Sequence, residues 1–310
     1  MNYPISASNP LFQLTKSKKR LPHLVIAILL VMAFLIVGQL IGVFTAMPLE
    51  ALIKKETNVT WKSTENLLVM LFLGNIPVIL AIYLWMHFYE KRAFRNLGFQ
   101  INKSIPNYFF GIFIGIILFC SVVGLLSLFN FMTWEKGSPA MQGIAVILPT
   151  ILLLLGFVIQ GATEEILCRG WLMPMVGARY NVWTGILVSA SLFGLLHCFN
   201  DNVTLLSIIN IIVVGVFFSL FALRQGSLWG ACGLHSIWNW LQGNFFGLQV
   251  SGTETGPTIL NLKEIGPDWI TGGAFGPEGG FVTTIILCIG IAVLLLRKSS
   301  FTKEIFTNNN

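Results

Sequence analysis

The sequence contains a series of apolar runs that limit the folds open to this chain. Several of them are long enough to cross a lipid bilayer as an α-helix. An α-helix needs roughly 20 residues to cross about 30 Å of hydrocarbon. Charged residues make up only 10% of the 310 residues, against about 25% in soluble domains. Because backbone polar groups in lipid must be satisfied within the protein, runs this long and uniform predict transmembrane helices.

The apolar runs predict an all-α polytopic membrane protein, a bundle of about eight transmembrane helices. The predicted spans are 22–44, 67–89, 107–130, 144–168, 181–199, 203–223, 228–246 and 281–297. With the amino terminus inside, 14 of the 19 Lys and Arg fall in predicted cytosolic segments, as the positive-inside rule requires. We therefore expect a multi-pass protein of the plasma membrane with both termini cytosolic.

The chain divides into three parts by content. Residues 1–139 hold the first three spans and a basic cytosolic segment at 90–106, residues 140–297 hold a helical core with the clustered polar residues described below, and residues 298–310 form a short cytosolic tail. The net charge of +6 comes from basic clusters beside the spans, which indicates membrane topology. We expect membrane lipid as a partner and no nucleic acid.

Two further segments and the five cysteines carry structural expectations. The predicted outer loop 247–280 is rich in Gly and Pro, which favours a lid-like loop without regular structure. The segment 90–103 is basic with interleaved apolar residues, which indicates an interfacial amphipathic stretch. The five cysteines lie in or beside apolar runs, so we expect small buried hydrophobes and no disulfide framework.

Ionisable side chains inside a span cost roughly a few kcal/mol each, so they mark candidate functional sites. Those that we consider lie in or directly beside the predicted spans and have one polar companion: His87, Glu164, Glu165, Arg169, His197 and His235, with Asn239. His87 ends the second span beside other charges, which indicates an interfacial residue without chemistry. The others form three clusters, on the fourth, fifth and seventh spans.

The first cluster contains two acids and one base. Glu165 and Arg169 are i,i+4 neighbours on a helix, so they can neutralise one another. Glu164 is rotated away by about 100°, lacks that partner, and suits a general base. Taken alone, the cluster is equally compatible with three residues that hold helices together by ion pairing.

The second and third clusters each place an imidazole at i,i+4 spacing from another side chain. Phe193 and His197 share a helix face, and so do His235 and Asn239. Each pair alone is compatible with a simple contact between helices. Glu164 and His197 are equally far from the predicted turn between their spans, so they should lie level in a hairpin. His235 should lie nearer the cytosol, unless the tip of that hairpin projects into the cytosol.

One Glu, two His and one Asn converging in a membrane cavity suit the activation of water. Glu164 would accept a proton from water, while the imidazoles and the amide would stabilise the oxyanion. Alternatively, Glu164, His197 and His235 could hold one Zn²⁺. The HExxH signature of zinc peptidases is absent, and so is the Gly-x-Ser-x-Gly turn of serine hydrolases.

These three clusters, in this order, resemble the CAAX-type prenyl endopeptidase family, also called the bacteriocin-processing or Abi family of intramembrane proteases. The motifs are Glu-Glu-x-x-x-Arg-Gly at 164–170, Phe-x-x-x-His at 193–197 and Gly-Leu-His-x-x-Trp-Asn at 233–239. The stretches 226–229 and 272–279 are also similar, the second to bacterial members. The resemblance covers about residues 140–297. Cys168 departs from it, since the family often has an aromatic residue there.

The resemblance implies an intramembrane endopeptidase whose conical cavity opens to the cytosol. It implies that Glu164 is the base that activates water. His197, His235 and Asn239 would position the oxyanion, and Glu165 and Arg169 would hold the site together. Members are described as glutamate-dependent or metal-dependent, which leaves one divalent metal open. The implied partner is a peptide or protein substrate, lipidated or membrane-anchored in some members.

Two other classes of protein could carry polar residues of this kind within a membrane bundle. A non-catalytic membrane scaffold or bacteriocin self-immunity protein would be expected to have a broken catalytic set, and this set is complete. A proton-coupled transporter usually shows repeat symmetry between its halves, and none is visible. The sequence therefore favours the enzyme, and the 272–279 stretch favours bacterial members tied to bacteriocin maturation or self-immunity.

Overall fold

The computed structural model describes residues 5–16, 21–53, 58–100, 104–138 and 141–296. These residues form mainly helices: α1 (Pro10–Lys16), α2 (Leu24–Ile53), α3 (Val59–Leu73), α4 (Ile76–Leu84), α5 (Ser104–Leu128), α6 (Ile147–Glu165), α7 (Met173–Arg179), α8 (Val182–Leu196), α9 (Leu205–Gln225), α10 (Trp229–Trp240), α11 (Asp268–Thr271) and α12 (Phe281–Leu296). Two short strands, β1 (Met132–Trp134) and β2 (Leu262–Glu264), pair antiparallel. The predicted tail 298–310 lies outside the described residues.

Every predicted span coincides with a helix, and the all-α polytopic membrane fold is confirmed. Among the described residues, six helical segments are long and apolar enough to cross a membrane: Leu24–Leu49, Val59–Glu90, Ser104–Leu128, Gly143–Arg179, Val182–Phe199 and Leu205–Gln225. The longest of them combine α-helices with π-helical turns at Trp85–Glu90 and Ile166–Leu172. The two remaining predicted spans are shorter helices, α12 and α10 with the π-helical turn Leu241–Phe245.

Helix α10 lies in the centre of the bundle, which explains why it is the least apolar of the predicted spans. Every residue from Gly230 to Asn239 is buried, and the helix packs mainly against α5 and α6. A Cβ on Gly111 of α5 would collide with the carbonyl oxygen of Gly230, so only glycine permits this close approach. A helix shielded from lipid in this way can carry His235 and Asn239 inside the bundle.

The segment between α10 and α12 contains regular structure, so the prediction of an irregular loop was wrong. β2 pairs with β1, and α11 is followed by two 3-10 turns, Gly273–Phe275 and Pro277–Gly279. The partner strand lies more than a hundred residues earlier in the chain, and local Gly and Pro content cannot reveal such a pairing.

The basic segment after α4 is anchored in the bundle, so the prediction of a purely interfacial stretch was wrong for its first residues. Glu90 and Arg92 are buried, and Nη1 of Arg92 donates to Glu90 at 2.8 Å. Trp171 also donates to Glu90 at 2.8 Å, and Nη2 of Arg92 donates to Thr15 of α1 at 2.9 Å. This polar network ties α1 to the bundle. Residues 101–103 lie outside the described part.

His87 is exposed and does not line the cavity described below, in line with the prediction. All five cysteines are free thiols. Cys168 and Cys232 are buried as predicted, whereas the prediction was wrong for three that are exposed: Cys120, Cys198 and Cys288. A small apolar thiol is compatible with a lipid-facing surface as well as with a core.

Glu264 of β2 makes the stability of the segment between α10 and α12 depend on pH. Its Oε1 is buried without a hydrogen-bond partner among the described residues. Burial, reinforced by Asp268 and Glu278, raises the pKa of Glu264 from 4.5 to about 8. The folded state therefore retains a proton that the unfolded state loses as the pH rises above about 4.5.

We expect the free energy of unfolding to be highest at low pH and to fall as the pH rises from about 5 to about 8. Glu264→Gln should flatten this decline, because an amide does not titrate. Denaturant unfolding in detergent across this range measures both proteins, with Glu135→Gln as a surface control. An identical slope in wild type and Glu264→Gln would contradict the assignment.

Candidate active site

A cavity of about 590 Å³ lies within the bundle. Four of the predicted site residues line it: Glu164, His197, His235 and Asn239. They come from α6, the end of α8, and α10, so side chains far apart in sequence meet at one cavity. Glu165 and Arg169 are fully buried beside it and do not line it.

Glu164 is held by a neighbour on its own helix. Gln160, one turn earlier in α6, donates from Nε2 to Glu164 Oε1 at 2.5 Å. Glu164 does not pair with Arg169, as the spacing predicted, but it is held by Gln160. The other oxygen, Oε2, lies 3.5 Å from His235 Nε2, and 27% of the Glu164 side chain is exposed. One oxygen is thus fixed while the other faces the imidazole.

The amide of Gln160 connects Glu164 to the central helix. Asn239 of α10 donates from Nδ2 to Gln160 Oε1 at 2.9 Å. The Gln160 oxygen therefore faces Asn239, and its NH₂ group faces Glu164. Sequence reasoning missed Gln160, although its i,i+4 spacing from Glu164 could have identified it.

His235 lies between the two carboxylates of α6. Its Nδ1 is 3.0 Å from Glu165 Oε1, and its Nε2 is 3.5 Å from Glu164 Oε2. An ionised carboxylate only accepts hydrogen bonds, so Nδ1 carries a proton and donates to Glu165. Glu165 therefore fixes the orientation of the ring and the protonation of Nδ1.

Arg169 neutralises Glu165 as the i,i+4 spacing predicted. Its Nη1 donates to Glu165 Oε1 at 2.8 Å, and both side chains are 0% exposed. The guanidinium also lies over two aromatic rings, 4.3 Å from the centroid of Phe193 and 5.3 Å from that of Phe218. Cation–π attraction partly compensates this buried charge for lost water.

His197 ends α8 and lines the cavity half-buried. Its Nδ1 lies 2.8 Å from the carbonyl oxygen of Phe193, which only accepts, so Nδ1 carries a proton and Nε2 is the remaining ring nitrogen. His197 shares the cavity with Glu164 as predicted, but the imidazole in contact with Glu164 is that of His235.

The axial offset predicted for His235 is absent. The helix that carries Glu164 continues through Ile166–Leu172 and α7 to Arg179. The tip of this hairpin therefore extends further than the turn between α9 and α10. This extension is the condition under which the offset was expected to disappear.

The cavity reaches one end of the bundle. Its lining there includes Asn200 after α8 together with Ser251, Thr253 and Glu278 from the segment before α12. The opposite end holds α1 and the α9–α10 turn. The distribution of Lys and Arg predicts that 247–280 lies outside the cell, whereas the resemblance implies that the cavity opens to the cytosol. These two expectations exclude each other in this fold.

Glu278 is a second carboxylate at the cavity that sequence reasoning did not assign to the site. It lies in the turn Pro277–Gly279 and is 5% exposed. Its Oε1 accepts hydrogen bonds from the backbone N–H and the hydroxyl of Ser251, at 2.6 and 2.5 Å. No helical spacing links Glu278 to the three motifs, so only the tertiary fold brings it to the cavity.

The residues available do not fit a metal centre as they are arranged. Among the described residues, no three His, Cys, Asp or Glu side chains are placed to hold a metal ion. Glu164 and His235 approach to 3.5 Å, whereas His197 lines the same cavity without a polar contact to either of them. We therefore derive no step through a metal from this geometry.

Residues 146–241 match the Rce1-like family model, described as type II CAAX prenyl endopeptidase Rce1-like. The matched segment contains all three motifs and every predicted site residue, and it ends before Glu278. No curated protein and no solved structure matches the chain significantly.

Proposed function

We propose that this chain is a CAAX-type intramembrane endopeptidase that hydrolyses a peptide bond with water activated by Glu164, and the match of residues 146–241 to the Rce1-like family model supports the class of enzyme. The observation that carries this proposal is the position of the Glu164 carboxylate. It is partly exposed and lies 3.5 Å from His235 Nε2, in the cavity that His197 and Asn239 also line.

The proposed reaction begins with a water molecule in the cavity that donates to both Glu164 Oε2 and His235 Nε2. The two acceptor atoms are 3.5 Å apart, so one water beside them can reach both at a usual hydrogen-bond distance of about 2.7–3.2 Å. Glu164 takes one proton from the water, and the hydroxide attacks the carbonyl carbon of the scissile bond. The tetrahedral oxyanion collapses, the C–N bond breaks, and the proton passes from Glu164 to the departing amine.

The remaining motif residues position the reactants. Glu165 and Arg169 hold the His235 ring in place. Asn239 fixes Gln160 with one N–H, and its NH₂ group carries a second that we assign to the oxyanion. We assign His197 to the same oxyanion, which requires the imidazolium form because Nδ1 is bound to Phe193. These donors act where charge develops in the transition state.

The test of the proposal is cleavage by the purified protein in liposomes. The probes are farnesylated and unmodified peptides ending in a CAAX sequence, and the products are identified by mass spectrometry. Cleavage of either probe supports the endopeptidase, and the comparison reports whether a lipid is required. Absence of cleavage of both probes and of a membrane-anchored peptide library would contradict it. Activity that tracks bound zinc and disappears with chelation would contradict the metal-free route.

Gln160 should act as a positioning residue for Glu164. Gln160→Leu removes the hydrogen bond to Glu164 and the acceptor for Asn239, so we expect kcat to fall about 10- to 100-fold with KM nearly unchanged. Steady-state cleavage kinetics measure the two constants, and Gln13→Leu in the exposed part of α1 is the matched control. A wild-type kcat for Gln160→Leu would remove this role.

A further inference from the structure

The cavity has an electrostatic bias that the proposed hydrolysis does not explain. Its lining contains two carboxylates, Glu164 and Glu278, and no Lys or Arg among the described residues. His197 and His235 are its basic groups. Glu164 lies beside His235, whereas Glu278 forms no ion pair with a described basic side chain. His197 and His235 favour the ionised form of Glu278 from a distance, without forming an ion pair with it. A buried carboxylate that no described cation contacts directly is costly, so a positively charged ligand would compensate it.

The carboxylate of Glu278 is oriented before any ligand binds. Ser251 occupies Oε1 with two donors, and no described residue donates to Oε2. Burial raises the pKa of Glu278, and the hydrogen bonds from Ser251 oppose that shift. A cation at Oε2 would oppose it further, because an opposite charge favours the ionised form.

The turn that carries Ser251 is itself fixed on several sides. Ser251 has a φ of +49°, and the flanking residues Val250 and Thr253 exchange backbone hydrogen bonds of 3.0 and 2.9 Å. Asn200 donates to the Ser251 carbonyl at 2.9 Å, and the N–H of Gly252 donates to Phe275 at 2.9 Å. Glu278 is thus held by a rigid wall of the cavity, as a recognition group requires.

We infer that Glu278 is a specificity residue that binds a positively charged group of the peptide substrate, an amine or a guanidinium, while Glu164 acts on the scissile bond in the same cavity. The inference rests on the proposed function and adds a substrate class to it. Glu278 lies outside the 146–241 family match and outside the three motifs.

The experiment uses a series of internally quenched peptides that differ only in carrying Lys or norleucine at successive positions around the cleavage site. The two side chains have similar apolar stems, so the comparison isolates the charge. Cleavage is measured in liposomes for the wild type, Glu278→Gln and the surface control Glu135→Gln. Gln at 278 keeps an oxygen for Ser251 and removes only the charge.

We expect the wild type and Glu135→Gln to prefer Lys at one position by about tenfold or more in kcat/KM. Glu278→Gln should abolish that preference while still cleaving the norleucine peptide. A Lys preference that survives in Glu278→Gln, or the lack of any such preference in the wild type, would overturn the inference without affecting the proposed hydrolysis.

A binding measurement separates this inference from the proposed function. Fluorescence anisotropy reports binding of the same peptides to Glu164→Gln and to Glu164→Gln with Glu278→Gln. If the wild type cleaves nothing, the hydrolytic proposal fails, and binding alone decides the charge-recognition role. Tighter binding of the Lys peptide that is lost with Glu278→Gln supports that role, and equal binding to both proteins contradicts it.

Discussion

Glu164→Gln should lower kcat/KM for peptide cleavage by about 10²- to 10⁴-fold, the range for loss of a general base. The amide keeps the size of the side chain and its oxygen can still accept from Gln160, but it cannot take a proton from water. Cleavage kinetics in liposomes measure the loss, and the thermal unfolding midpoint should remain close to that of the wild type.

The matched control for this substitution is Glu135→Gln. Glu135 is 49% exposed and pairs with Lys263 at the surface. Its substitution by Gln therefore removes one carboxylate from the protein without changing the cavity. It should retain nearly full activity. If Glu164→Gln also retained full activity, water activation by Glu164 would be excluded, although the membrane fold would remain.

Arg169→Met should lower the free energy of unfolding by about 3–5 kcal/mol, the cost of breaking a buried ion pair. The substitution leaves the fully buried Glu165 without its guanidinium partner and removes the cation that lies over Phe193 and Phe218. Reversible unfolding in bicelles or detergent measures the change. Loss of cleavage should accompany it, because Glu165 orients His235.

The double variant Glu165→Gln, Arg169→Met separates the lost ion pair from lost packing. Both charges are gone in this protein, so its destabilisation should be clearly smaller than the sum of the two single substitutions. Additive effects would indicate that the buried pair contributes no coupling. A destabilisation below about 1 kcal/mol for Arg169→Met alone would contradict the assignment of Arg169 as the partner of Glu165.

Features that depend on local spacing were predictable from the sequence. Apolar runs of sufficient length located the six helical segments that are long and apolar enough to cross a membrane in the described part of the chain, because lipid leaves few other backbone structures. The pair Glu165–Arg169 followed from i,i+4 geometry and is present at 2.8 Å. The same rule could have identified Gln160, which lies one turn before Glu164 on the same helix.

Features that depend on contacts between distant segments were not predictable in the same way. Which imidazole touches Glu164 is decided by how α10 packs against α6, and helix spacing gave no distance between them. Glu278 enters the cavity through a turn fixed by Ser251. The strand pair β1–β2 joins residues more than a hundred positions apart. Each of these outcomes requires the tertiary fold.

The orientation of the cavity bears on where the substrate enters. If 247–280 lies outside, as the basic residues predict, the lining residues Ser251 and Glu278 place the cavity on the outer side of the membrane. If the cavity opens to the cytosol, as the resemblance implies, the charge distribution has been misinterpreted. Labelling of a cysteine introduced at exposed Glu254 of that segment by an impermeant reagent in intact cells distinguishes the two orientations.

The proposed mechanism requires the carboxylate of Glu164 to be in contact with water inside the bundle, while that of its neighbour Glu165 is not. Carboxylate footprinting with a water-soluble carbodiimide and glycine ethyl ester, read by mass spectrometry, measures this difference in folded protein. We predict modification of Glu164, together with loss of cleavage, and no modification of Glu165. An unmodified Glu164 under conditions that fully label exposed Glu135 would contradict a wet catalytic carboxylate.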